Sequence, residues 1–205
     1  MTPSSVHDSR NLALSGFSGS GKTTLVEGLL AAAGEIGGPG SVERGDTVGD
    51  FDPQEKAMGH SLHAALVHLE WAAHWINLLD TPGLPDLSGR AVLALPAVDT
   101  AAVVINAAAG IESGTRRMMD AAKGKCRMIV INKLDAAADL TALMDAIAAT
   151  FGRECLPLNL PAPDRSRVID CFFAPDNAGA TAFSSVSAAH DAPARPVRRR
   201  HLRCH

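Results

Sequence analysis

The sequence predicts an α/β fold, a mainly parallel sheet flanked by helices on both faces, and three observations lead to it. Short runs rich in Val, Ile and Leu alternate with segments whose apolar residues recur at helical spacing, the pattern of strand–helix–strand units. A glycine-rich stretch, "GFSGSGKT" at 16–23, joins the first such strand to the first such helix. Two polar turns, "DTPG" at 80–83 and "NKLD" at 132–135, close later apolar runs, where open α/β sheets hold their ligands.

The elements follow in order. "NLALSG" (11–16) reads as a strand and "TTLVEGLLAAAG" (23–34) as a helix with apolar residues at helical spacing. From 34 to 59 glycines, acids and prolines dominate without apolar periodicity, which predicts a mobile functional loop or disorder. "SLHAALVHLEW" (61–71) and "HWINLLD" (74–80) read as two strands joined at Ala72 and Ala73, an antiparallel pair at the edge of the sheet. "TAAVVINA" (100–107) and "RMIVINKLD" (127–135) are further strands, with helical patterns in "SGTRRMMDAAKG" between them and "DLTALMDAIAATFG" after. "RVIDCFF" (167–173) reads as a weaker strand, and the pattern fades from Asn177 to His190.

Bulk properties narrow the class. At 205 residues the chain accommodates one full-sized domain and is short for two. No stretch approaches the roughly 18 consecutive apolar residues of a membrane span, and "MTPSSVHDSR" lacks the features of a secretory or transit signal, so a cytosolic protein without membrane contact is expected. Cys126, Cys155, Cys171 and Cys204 show no metal or disulfide spacing and read as buried free thiols. The net charge of −3 hides an asymmetry: "RPVRRRHLRCH" carries five arginines and no acid, leaving −8 on the rest.

The glycine-rich stretch matches G-x-x-x-x-G-K-[ST] in the strand-to-helix context that a phosphate loop requires. Successive N–H groups there point at phosphate oxygens, and the helix N-terminus adds partial positive charge. Gly16, Phe17, Ser18, Gly19, Ser20, Gly21, Lys22, Thr23 and Thr24 are the candidate phosphate-binding residues. Lys22 would reach the β- and γ-phosphates, and the Thr23 hydroxyl would ligate Mg²⁺.

The two turns narrow the nucleotide. Asp135 can accept two hydrogen bonds from the N1–H and exocyclic amine of guanine, an arrangement adenine lacks. Asn132 can bond the N7 side of the base and tie its loop to the phosphate loop, and the Lys133 stem can cover the base. Alone, "NKLD" reads equally as a polar turn with Asp135 near a helix cap. Asp80 would hold Mg²⁺ through water, and the Gly83 N–H would meet the γ-phosphate, a contact made only in the triphosphate state. Three motifs in the order expected of a guanine-nucleotide protein outweigh any one.

On these residues the chain resembles the G domain of a translational GTPase, specifically of the elongation-factor-G type. "GDTVGDFDPQEKAMGHSLHAALVHLEW" resembles that family's first switch, and the likeness runs from about Asn11 to Ala189. The resemblance implies a P-loop NTPase G domain that binds GTP and GDP with Mg²⁺, Ser61 as a metal-ligating hydroxyl, Lys22 and Gly83 serving catalysis, and the ribosome as partner of the full-length parent. It also implies departures. Phe17, Ser18 and Gly19 stand where the family carries His-Ile-Asp, Met58 where it has arginine, and Leu84 where its histidine orients the attacking water. Losing such a group typically costs about 100- to 10,000-fold in rate. His60, His63, His68 and His74 offer no clear replacement: His60 and His74 are expected to face solvent, and His63 to share a half-buried face with Ala65 and Val67.

The resemblance predicts a flexible N-terminus over 1–10, a partial GTP-binding domain over 11–160, the start of an inserted subdomain over 161–190 and a disordered basic tail over 191–205. The closing strand and helix of the G domain are then lacking, and Ser187 and Ala188 are not assigned to a guanine loop. The tail from Arg195 to Arg203 reads either as an arm making weak RNA contact or as frameshifted read-through, the latter being the working expectation. The predicted function is guanine-nucleotide binding with weak GTP hydrolysis. The alternatives are a non-hydrolysing guanine-nucleotide switch and a truncated, non-functional fragment.

Overall fold

The computed structural model of the chain describes residues 5–136, 139–152 and 154–171. It divides into two compact units between Lys133 and Leu134. The expected basic tail, Ser187, Ala188 and the last two residues of "RVIDCFF" lie outside the described residues. Among the described residues no helix is long and apolar enough to cross a membrane.

The first unit is built on β1 (Ser9–Ser15), α1 (Lys22–Ala32), α2 (Pro53–Met58), β2 (Ala65–Trp71), β3 (His74–Asp80), α3 (Ser88–Ala94), β4 (Thr100–Asn106), α4 (Ser113–Ala121) and β5 (Cys126–Asn132). Its sheet has the order β2-β3-β1-β4-β5, with β3, β1, β4 and β5 parallel and β2 antiparallel at the edge. The predicted mainly parallel sheet with one antiparallel edge is therefore present. Strand order reverses at β1, so the crevice beyond its C-terminal end, where the glycine-rich loop begins, is the natural ligand site.

Both faces of this sheet are covered. Leu14, Leu78 and Val104 from three strands pack with Val26 and Leu30 of α1 and with Val67 and Leu69 of β2. Ala101, three residues before Val104 on β4 and so on the opposite face, packs instead with Leu95 and with Ala122 at the end of α4. Val103, Val104 and Ile105 are each at most 1% exposed, which explains why β4 is continuously apolar instead of alternating.

Three expectations need correction. The segment 34–59 contains α2, capped by Asp52 and Glu55 in a reciprocal box, begun by Pro53 and ended at Gly59. Six residues are too few to show periodicity. The strand expected from Ser61 begins only at Ala65, because the Glu55 carboxylate takes the backbone N–H groups of Leu62 and His63 that a ladder would use. His63 is consequently not on a half-buried strand face, and its Nδ1 meets Arg90 at 2.8 Å. α3, preceded by the 3₁₀ turn Pro85–Leu87, was not expected from its glycine-bearing sequence.

The second unit contains the 3₁₀ turn Leu134–Ala136, α5 (Leu140–Phe151), β6 (Asn159–Pro161) and β7 (Val168–Asp170). Asp139 caps α5 through the Ala142 N–H, and Leu140, Leu143 and Ile147 form its buried face. β6 and β7 pair as a short antiparallel ribbon. Cys171 is a buried free thiol, and Cys126 in the first unit is a half-buried one.

Candidate functional site

The glycine-rich loop is held by close backbone packing. Gly16 adopts φ +141°, and a Cβ there would lie 2.3 Å from the Val104 carbonyl oxygen, so only glycine lets the loop leave β1 against β4. The loop closes on itself through the Ser20 N–H to the Phe17 carbonyl, 3.2 Å, and feeds into α1, whose N-cap Gly21 makes no side-chain cap bond. The first-turn N–H groups of α1 thus point into the loop without a competing side chain. The Ser20 hydroxyl is buried without a hydrogen-bond partner among the described residues. Phe17 and Ser18 are half-buried, while Gly19 and Thr24 are exposed.

Lys22 carries the loop's cation inward. It is 7% exposed, and its ammonium donates to the Gly16 and Phe17 carbonyls at 3.0 and 3.1 Å. Burial pulls its pKa below the usual lysine value, and the nearby Asp80 charge opposes that shift. Gly83 lies directly over this group: a Cβ on Gly83 would come within 2.5 Å of Lys22 Nζ and 2.7 Å of the Ser18 nitrogen. The turn at 80–83 therefore packs against the glycine-rich loop at Phe17, Ser18 and Lys22.

Next to Lys22, residues far apart in the chain converge. Thr23 Oγ1 donates to Asp80 Oδ2 at 2.7 Å and lies 3.4 Å from Ser61 Oγ. Ser61 in turn donates to Asp50 Oδ1 at 2.8 Å, and Thr47 donates to Asp50 Oδ2 at 3.1 Å. Asp80 Oδ1 is buried without a hydrogen-bond partner among the described residues. Burial raises the Asp80 pKa to about 6, with Asp50 and Glu27 adding to the rise and the Thr23 bond and Lys22 opposing it.

This arrangement fits a hard divalent cation. Among the described residues no three His, Cys, Asp or Glu side chains converge as a metal cage. Two hydroxyls whose protons are committed to carboxylates, beside one unpartnered carboxylate oxygen, nevertheless suit Mg²⁺, which takes few protein oxygens and keeps its waters.

The loop from 34 to 63 is wired by acids that sequence reasoning missed. Glu27, fully buried on α1, accepts the Gly40 and Val48 N–H groups at 2.9 and 2.7 Å. Glu55, 2% exposed, holds Leu62 and His63 at 2.8 and 2.9 Å. A legible signal existed for Glu27, which falls on the same helical face as Val26 and Leu30, where an acid needs a structural partner.

The polar turn after β5 splits across the two units. Asn132 Nδ2 donates to the Ser20 carbonyl at 3.0 Å, and its Oδ1 accepts the Lys133 N–H at 2.9 Å. Lys133 takes φ +58°. Asp135 is exposed in the second unit, beside Leu134, whose carbonyl accepts from Arg165 at 2.8 Å.

Leu84 lies in a small cavity with Phe17, Pro82, Ala91, Arg117 and Met118, a predominantly apolar setting. None of His60, His63, His68 and His74 lines it. His68 stacks on Trp75 with ring centroids 4.4 Å apart, and His74 Nδ1 lies 2.9 Å from the Ala72 carbonyl. His60 Nδ1 is buried without a partner among the described residues.

With this geometry, the likeness to known proteins can be placed. The chain is 41% identical over 158 residues to an elongation factor G-like protein of Mycobacterium tuberculosis, covering 76% of this chain and 22% of that protein. It is 34% identical over 155 residues to a mitochondrial ribosome-releasing factor 2 of Culex quinquefasciatus, covering 74% and 21%. A crystallised Thermus thermophilus protein superposes with TM-score 0.75 at 38% identity, over 80% of this chain and 25% of that one. The chain thus spans about a fifth to a quarter of the length of these relatives. The family model of the elongation factor Tu GTP binding domain matches residues 7–195, and by that match the chain belongs to that family.

Proposed function

We propose that the chain is the guanine-nucleotide-binding domain of an elongation-factor-G-like translational GTPase, which binds GTP or GDP with Mg²⁺ and hydrolyses GTP slowly. The observation that carries the reading is the convergence of Thr23, Ser61 and Asp80 beside the buried Lys22 ammonium, with an Asp80 oxygen left unpartnered. For the parent, relatives named as elongation and ribosome-releasing factors support the ribosome as partner.

In this reading Lys22 exchanges the Gly16 and Phe17 carbonyls for β- and γ-phosphate oxygens, and the loop N–H groups take the rest. Thr23 and Ser61 would hold Mg²⁺, with Asp80 acting through water, and the ion would supply charge neutralisation at those oxygens. Gly83 offers its N–H to the γ-phosphate, and its lack of a side chain permits the approach. Asn132 and Lys133 are the residues proposed to flank guanine, and Asp135 the residue proposed to read the base. Fluorescent GDP should bind and be displaced by GTP but not by ATP. Asp135→Asn should weaken guanine binding at least about tenfold and favour xanthine, because an amide offers one acceptor and one donor in place of two acceptors. Unchanged base preference in a competition titration would remove Asp135 from the site.

Slow hydrolysis follows from Leu84, an aliphatic side chain with no group to orient water, in a largely apolar cavity. In a full-length chain, ribosome-stimulated single-turnover hydrolysis by Leu84→His should exceed that of the unaltered parent by about tenfold or more, since the resemblance has the histidine act once the ribosome has aligned it. The absence of a gain would defeat the water-positioning argument. The same leucine favours a second reading, a switch acting through its bound state without turnover, which predicts no phosphate release by the unaltered chain.

A further inference from the structure

The phosphate-side oxygens are oriented by a residue that no motif points to. Thr23 Oγ1 has one proton, and at 2.7 Å it is committed to Asp80 Oδ2. Ser61 Oγ has one proton, and at 2.8 Å it is committed to Asp50 Oδ1. The two hydroxyl oxygens lie 3.4 Å apart, where either could donate to the other, and with both protons given to the carboxylates they present lone pairs to each other. Such a contact is unfavourable between neutral hydroxyls alone and favourable beside a cation.

Asp50 is built for this task. It is 5% exposed, and its second oxygen is anchored by the buried Thr47 hydroxyl at 3.1 Å. Glu55 fixes the backbone immediately after Ser61 through the Leu62 and His63 N–H groups, so the Ser61 side chain is left only its χ1 and hydroxyl rotations. We propose that Asp50 is the positioning residue for Ser61: its buried carboxylate captures the Ser61 hydroxyl proton and turns the oxygen lone pairs toward Thr23 and the bound cation. This rests on the guanine-nucleotide reading above and assigns a residue to its metal side that touches neither metal nor nucleotide.

The test is a Mg²⁺ titration of fluorescent GTP affinity on the full chain, in a double-mutant cycle. Asp50→Ala should raise the half-saturating Mg²⁺ concentration about tenfold while leaving GTP affinity in EDTA within about twofold. In a Ser61→Ala background the same substitution should add less than about twofold. Thr47→Val, which leaves the Asp50–Ser61 bond, should stay within about twofold of the unaltered chain. If alanine at 50 unfolds the loop, Asp50→Leu fills the same space without an acceptor and should show the same rise, whereas Asp50→Asn keeps an amide oxygen for the Ser61 hydroxyl and should stay within about twofold. An undiminished effect of Asp50→Ala in the Ser61→Ala background overturns the proposal in favour of direct charge action on the cation. No change in Mg²⁺ dependence, or an equal loss in EDTA, also overturns it. Failure of the unaltered chain to bind GTP with Mg²⁺ overturns the guanine-nucleotide reading itself, and this proposal with it.

Discussion

Gly16→Ala is expected to cost about 3–5 kcal/mol of folding stability, against about 1 kcal/mol for Gly19→Ala further along the same loop. Both glycines have positive φ, +141° and +76°, but their surroundings differ. At Gly19 a new Cβ meets nothing within 4 Å, so only the conformational penalty applies. At Gly16 it would sit 2.3 Å from the Val104 carbonyl oxygen and 3.2 Å from the Val104 carbonyl carbon and nitrogen. That neighbour is backbone of a central strand, 1% exposed, and cannot rotate away. Relief requires prying β1 from β4 where Ser15 pairs with Val103, or dragging the loop off its helix. With total stabilities of such domains at about 5–15 kcal/mol, the loss is a large fraction. Urea unfolding of the two variants in parallel decides it, and equal midpoints would contradict the packing argument.

What the sequence revealed, and what it hid, divides along a physical line. Elements whose signal is a run of several residues were legible: β3 spans the expected His74–Asp80 and α5 begins one residue after its Asp139 cap. The hairpin corner at Ala72 and Ala73 was placed from its flanking strands alone, although both alanines take positive φ, where glycine or asparagine is usual. Short elements fixed by single hydrogen-bonding residues were not legible. α2 has only a capping box and a proline as its signature, and the start of β2 is set by where Glu55 stops serving backbone N–H groups.

The site shows the same division. Motif spacing singled out Lys22, Thr23, Asp80 and Asn132, because the loop chemistry demands those residue types in that order. The convergence of Ser61 on Thr23 came through the family resemblance, not through spacing. Asp50 and Glu55 were invisible, since a solvated acid and a buried one look alike in a segment rich in both acids and glycines, whereas Glu27 carried a signal in its place on the apolar face of α1. Only the three-dimensional accounting of buried N–H and O–H groups tells them apart.

Asp80→Asn should separate stability from ligand binding most sharply. The Asp80 side chain is 2% exposed, and its pKa is raised from 3.8 to about 6, chiefly by desolvation. A carboxyl whose folded pKa lies above its unfolded value stabilises fully below the unfolded pKa and loses that contribution as pH rises through the folded one. Near pH 7.5 without metal, the fold therefore carries a buried anion at a cost of roughly 2–3 kcal/mol. Asparagine keeps a carbonyl oxygen for the 2.7 Å bond from Thr23 and removes the charge that Asp50 and Glu27 repel. The variant should melt higher than the unaltered chain at pH 7.5 in EDTA. That gain should fade as pH falls from about 6 toward 3.8, the window in which the unaltered carboxyl is protonated in the folded state first. With Mg²⁺ and GTP the order should invert, the variant losing about 100-fold in Mg²⁺-dependent affinity because the hydrated cation no longer has the Asp80 anionic charge beside it. Melting curves across that pH range, with and without Mg²⁺ and GTP, read all of these outcomes. A variant less stable than the unaltered chain in EDTA at pH 7.5 would show that the Asp80 charge serves the fold and not a ligand.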